Sequence, residues 1–237
     1  MRPPRVVVGT LALALLWGSV NASASEALSF DPGAYPLLSA SEQPAPGHTF
    51  EHTLAHKLGT ALQRKIVPAA GADANLVMGA EQGIPYFEST VSALSKVEGG
   101  PSTWQALQQQ PVCLTSGSPY ASLLMQRFGI VPRFYPSTAQ ALIGLKLGEC
   151  KAVAQESRLL DDIAALPEWV RYNRRIEPVV GYRFVQAVEA RDPALNATLG
   201  HLLSEWRTSG ELDAHIQFWI DEVAFEAYVL SDTLDCH

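Results

Sequence analysis

PVCLTSGSP, residues 111–119, and GECKAVAQE, residues 148–156, decide how this chain is read. The first is a short apolar strand running into a Ser-Gly-Ser turn, with Pro119 suited to the first position of a following helix. Such a turn points backbone N–H groups and hydroxyls at one spot, which suits a carboxylate or other anion. The second is a buried-type strand, Ala152 to Ala154, that ends in Gln155 and Glu156. It delivers a negative charge at the carboxyl end of a strand, where ligands of open α/β sheets sit. An anion cradle beside a carboxylate suits a small zwitterion, whereas an ordinary βαβ unit with polar loop ends needs no ligand at all.

Outward from there, the chain alternates strand and helix. Helices are expected over 119–128, 138–147 and 157–166, the first two stopped by Gly129 and Gly148. Strict alternation argues for a mainly parallel sheet covered on both faces. Upstream, Phe50, Leu54, Leu58 and Leu62 recur at helical spacing, and short strands are expected at Ile66–Val67 and Asn75–Met78. Tyr86 to Lys96 reads as one extended piece closed by Gly99, Gly100 and Pro101, a boundary. Downstream, Gly181 to Glu189 reads as a strand, and Asp192-Pro193 opens a helix that Gly210 ends. A last helix carries Leu212, Ile216, Trp219 and Ile220, with a loose tail expected from Ser231; Trp206, Phe218 and Trp219 are expected in the core.

The first residues set the compartment. Arg2 and Arg5 precede an apolar run from Val6 to Trp17 that is too short to span a membrane, and Ala22 to Ala24 is a small-residue cleavage pattern. A signal peptide cut after Ala24 is expected, with no lipid anchor and a periplasmic, monomeric product. Removing Arg2 and Arg5 from the 17 basic residues leaves 15 against 24 acidic ones. Such a balance without Lys/Arg clusters argues against nucleic acid. Export permits a disulfide. Pairing of Cys113 with Cys150 is favoured because both fall at strands of one sheet, leaving Cys236 over, though three cysteines allow three pairings.

Taken in order, these pieces resemble the polar-amino-acid family of periplasmic solute-binding proteins, which has the type II periplasmic binding fold. VCLTSGS (112–118) looks like the turn opening the second lobe, and AQALIGLKLGECKAVA (139–154) like the helix, Gly turn and strand that follow. Tyr182–Val188, Asp192–Leu195 and Ser209–Leu212 through Trp219 look like the closing strand, helix and terminal helix. The resemblance implies two α/β lobes, 25–101 plus 181–237 and 102–180, joined by two crossings around a ligand. By the same resemblance Asp31 and Tyr35 line the first-lobe side, and Thr115, Gly117 and Ser118 hold the carboxylate side of the ligand. Gln155 and Glu156 end the strand at which the family pairs the ligand's ammonium, usually with Asp. The family's first-lobe Thr and Arg have no counterpart: VMGAEQGIPY (77–86) runs almost straight into the next strand, with Glu81 near the place of the Thr. Without a bidentate guanidinium the carboxylate loses its strongest partner, and a cationic solute becomes easier to accommodate.

The expected function is capture of a small polar, amino-acid-like or cationic solute for an inner-membrane ABC-type importer, with no cofactor. The alternatives are an accessory protein acting through protein contacts, for instance beside an exported oxidoreductase or sensor, and a small lyase on the same fold. No nucleophile–base pair is visible. His52 and His56 stand four apart on a helix without the internal Glu of a zinc-protease motif, so no metal site is expected.

Overall fold

The computed structural model describes residues 27–80 and 82–234. The expected signal peptide, Glu81 and Cys236 lie outside the described residues. The strands are β1 (Leu28–Asp31), β2 (Ile66–Pro68), β3 (Leu76–Ala80), β4 (Ile84–Ser89), β5 (Val91–Ser95), β6 (Pro111–Thr115), β7 (Val131–Tyr135), β8 (Ala152–Glu156), β9 (Arg174–Ile176) and β10 (Phe184–Ala190). The helices are α1 (Phe50–Ala61), α2 (Ala121–Phe128), α3 (Thr138–Lys146), α4 (Ser157–Ala165), α5 (Pro193–Ser209) and α6 (Glu211–Leu234).

Two five-stranded sheets result, ordered β2-β1-β3-β10-β4 and β7-β6-β8-β5-β9. In the first, only β10 runs against the rest; in the second, only β5 does. The expected α/β architecture with two mainly parallel sheets is therefore present, and each lobe's single reversed strand is one the chain uses to change lobes. The helix boundaries follow local chemistry. The Asp192 carboxylate accepts from the N–H groups of Ala194 and Leu195, Pro193 opens α5, and Gly210 closes it at φ 83°. The Ser137 hydroxyl caps α3 by accepting from Gln140 N–H.

Three sequence expectations differ from what is observed. The run from Tyr86 to Lys96 is two strands, interrupted at Thr90, and β5 pairs with β8 and β9 in the second sheet. The chain thus changes lobes ahead of the expected boundary at 101, because all five residues of β5 are buried and need partners on both edges. The C-terminal segment, where a loose tail was expected from Ser231, is helical through Leu234, the last described residue. Phe218 is about half exposed, whereas Trp206 and Trp219 are buried as expected.

One contiguous apolar core runs through both lobes, from Phe30 and Leu54 in the first to Val153 and Leu160 in the second. The Cys113–Cys150 disulfide joins the middle of β6 to a position two residues ahead of β8. The long helix α6 packs on α1 and α5 of its own lobe and on α3 and α4 of the other. Arg158 of α4 pairs with Asp213 at 3.0 Å, and Gln217 donates to Asp162 at 2.8 Å. On the far side, Thr138 N–H donates to the carbonyl of Ser39 at 2.8 Å. The lobes are held together by a helix, a loop and the residues between them.

Candidate functional site

Glu156 is the centre of the interface between the lobes. It is the last residue of β8 and N-cap of α4, so its side chain leaves the sheet toward the first lobe. It is fully buried. Its Oε1 accepts from the Tyr35 hydroxyl at 2.8 Å and, more weakly, from Tyr120 at 3.3 Å. Its Oε2 is buried without any hydrogen-bond partner. Burial pushes the carboxyl's pKa up, opposed by hydrogen bonds from its own backbone and the two tyrosines. The Tyr35 and Tyr120 hydroxyls are raised well above their ordinary value, by burial first and by the neighbouring Glu156 charge second. Both therefore stay protonated and donate.

Around this carboxyl lies a connected polar chain. Gln155 accepts from the Tyr120 hydroxyl at 2.9 Å and donates to Thr115 Oγ1 at 2.9 Å. Thr115 in turn shares a 3.1 Å hydrogen bond with Thr138 at the start of α3. The ends of three second-sheet elements, β6, β8 and α3, are wired together in this way. Apart from Glu156 Oε2, this buried chain is satisfied, which fixes its geometry.

Ser118 behaves differently from the cradle suggested by its sequence. Its hydroxyl donates to the Thr115 carbonyl at 2.6 Å, and the helix begins at Ala121, so Pro119 sits in the turn. Gly117, at φ 79°, lies against the first lobe: a Cβ there would come within 3.3 Å of the Ala34 carbonyl. Only a residue at ease with positive φ fits so close an approach. Two of the turn's N–H donors are spent within the second lobe: Ser116 N–H donates to the Tyr135 carbonyl at 2.8 Å and Ser118 N–H to the Thr115 carbonyl at 3.1 Å. Asp31 is likewise engaged locally, accepting from Gly33 N–H at 2.9 Å and from Gly71 N–H at 2.6 Å.

The structure therefore gathers Tyr35, Thr115, Gly117, Ser118, Gln155 and Glu156 at the junction of the lobes, and keeps Asp31 bonded within the first lobe. Sequence reading missed Tyr120 and Phe184. The Tyr35 ring meets Tyr120 edge-on at 6.4 Å and Phe184 at 5.9 Å, and Tyr120 meets Phe184 at 5.8 Å. These three rings fill the space between the lobes. The signal for Tyr120 is its place directly after the Ser-Gly-Ser-Pro turn; for Phe184, its place at the start of the returning strand. Among the described residues no group of three or more His, Cys, Asp or Glu is placed to hold a metal. No helix among them is long and apolar enough to cross a membrane.

No protein-family profile matches the chain. No curated protein matches it in sequence. Solved structures do resemble it. A mutant arginine-binding protein (ArgBP) of T. maritima superposes with a TM-score of 0.60 at 17% identity, covering 83% of this chain and 96% of that one. The amino-acid ABC-transporter substrate-binding protein AbpA of Streptococcus pneumoniae, bound to L-arginine, gives 0.58 at 15% identity over 85% and 96%. An ancestral amino-acid-binding protein, AncCDT-1, a precursor of cyclohexadienyl dehydratase, gives 0.58 at 14% identity over 83% and 96%. The chain has the two-lobed fold of periplasmic binding proteins.

Proposed function

We propose that the protein is an exported solute-binding protein that captures a small polar solute bearing an ammonium or similar cationic group between its lobes, for an ABC-type importer. One observation carries this reading: a fully buried carboxyl at the lobe junction with one oxygen lacking any donor. An unsatisfied buried acceptor costs about 1–3 kcal/mol. A cation bound there supplies the missing donors and restores the ionised form that burial disfavours.

In this reading the lobes part about the two crossings, at residues 89–91 and 177–183, and the Tyr35 hydroxyl leaves Glu156. The solute's ammonium takes the place of that phenol, while Thr115, Gln155 and Tyr120 stay with the second lobe and orient it. Closure then returns the aromatic wall and excludes water, which strengthens each polar contact. Asp31 takes part only as a first-lobe residue whose carboxylate is already engaged locally, and Ser118 as a donor that must release the Thr115 carbonyl to act.

Thermal-shift titration of the processed protein against amino acids, polyamines, sugars and organic acids tests this. A ligand at one hundred times its dissociation constant stabilises by about 2.7 kcal/mol, and Glu156→Gln should abolish the gain for cationic solutes. Equal gains in the variant would remove Glu156 from the site. Because the carboxyl must be ionised to pair, affinity should rise with pH through its raised pKa and then level off. Calorimetry in buffers of different ionisation enthalpy should show proton release on binding in the lower part of that range.

A second reading rests on a separate observation. Tyr35, Tyr120 and Phe184 fill the cleft, and α6 with its Arg158–Asp213 and Gln217–Asp162 contacts fastens the lobes. An accessory protein that works through its surface needs nothing more. A flat response across the solute panel, together with a melting temperature insensitive to Tyr35→Phe plus ligand, favours it. Turnover of any hit would instead favour the lyase.

A further inference from the structure

We propose a second ligand site, separate from the cleft, for a small organic cation with an apolar body. It is a groove of about 500 Å³ where the 36–49 loop, the start of α1 and the middle of α6 meet Pro136 of the other lobe. That volume lies within the range of small-molecule sites, about 300–1,000 Å³. Its floor is apolar and buried, from Leu37, Leu38 and Phe50. Two aromatic residues line it, Trp219, which is buried, and Phe225, which is 64% exposed.

The charge on this groove has one sign. Glu42, Glu222 and Glu226 line it, and no Lys or Arg does. Glu222 and Glu226 stand four apart on one face of α6, where like charges repel. His48, its ring tilted against Trp219 with centroids 5.0 Å apart, reaches Glu222 at 3.6 Å, while Glu226 has no charged partner among the described residues. The exposed Phe225 ring beside Glu226, a carboxylate without a charged partner, is the environment that organic ammonium groups seek. The loop that floors the groove sends Tyr35 the other way, to Glu156, so the two sites lie on opposite sides of one loop.

Benzyltrimethylammonium is the probe, with phenylacetate as the anion of similar body, followed by tryptophan fluorescence and calorimetry on the full processed chain. Saturable one-to-one binding of the cation is expected, and none of phenylacetate. The Glu222→Gln/Glu226→Gln double variant should bind at least tenfold more weakly, and Phe225→Ala likewise; both alter half-exposed or exposed side chains and should melt as the parent does. Glu156→Gln should bind unchanged. No saturable binding, or undiminished affinity in the double variant, overturns the site. Loss in Glu156→Gln with retention in the double variant places the cation in the cleft instead, which overturns this proposal and leaves the cleft reading standing.

Discussion

Glu51 and His215 sit within the first lobe, away from the junction, and set its response to pH. Glu51 is buried in α1 and accepts from Leu37 N–H at 2.9 Å, tying down the loop that carries Tyr35. Burial raises its carboxyl to about 7 from 4.5. A raised folded-state value means that the neutral form is the stabilised one, so stability is full below about 4.5 and is lost as pH rises through 7. The amount is about 3 kcal/mol. His215 lies tilted against Phe50 with ring centroids 4.9 Å apart and is lowered to about 4 from 6.5, again by burial. Its contribution is present above 6.5 and is lost as pH falls toward 4. The two oppose each other between these values. Glu51→Gln, which keeps an acceptor for Leu37, should raise the melting temperature at pH 8 and leave it nearly unchanged at pH 4. An unchanged melting temperature at pH 8 would refute the assignment. Neither residue announces itself in the sequence, because burial of a charged side chain depends on packing that spacing alone does not encode. Glu156 was legible, since the end of a buried strand is a place a charge rarely goes without a reason.

At the scale of elements, α3 and the disulfide make the sharpest tests. Gly144 lets α3 settle onto β6 and β7: a Cβ there would lie 2.5 Å from the Tyr135 hydroxyl and 2.7 Å from Cys113 Sγ. Gly144→Ala should therefore destabilise by about 1–3 kcal/mol in spite of alanine's better helix propensity, read by chemical denaturation. The disulfide closes a sequence separation of 37. Chain entropy assigns it about 3–4 kcal/mol, which the Cys113→Ala/Cys150→Ala double variant should lose. Both cysteines are buried, so reductant should act on the folded protein slowly. Element order was legible because caps and glycine stops punctuate the chain: Asp192-Pro193 and Gly210 bracket α5 as read. The sheet to which β5 belongs was not. A run of apolar residues on either side of Thr90 looks continuous, and only pairing with β8 and β9 divides it. The length of α6 was legible further than it was read, since Ile216, Ile220, Val223, Ala227 and Leu230 continue one stripe at helical spacing.

At the scale of the whole molecule the lobes are closed on one another, one core continuing from lobe to lobe. Small-angle scattering of the empty protein should fit this compact form, and an Arg158→Ala/Gln217→Ala variant, freed from two of the α6 contacts, should show a larger radius of gyration. An empty parent that scatters as an open form would contradict the fastening role of α6. The two-lobed architecture was readable from the order of its parts over the second lobe, but its resting state was not, because closure depends on rings contributed by three distant stretches, Tyr35, Tyr120 and Phe184. Anything entering the space between the lobes must first prise these rings apart, so admission would be paced by an unlocking step rather than by diffusion.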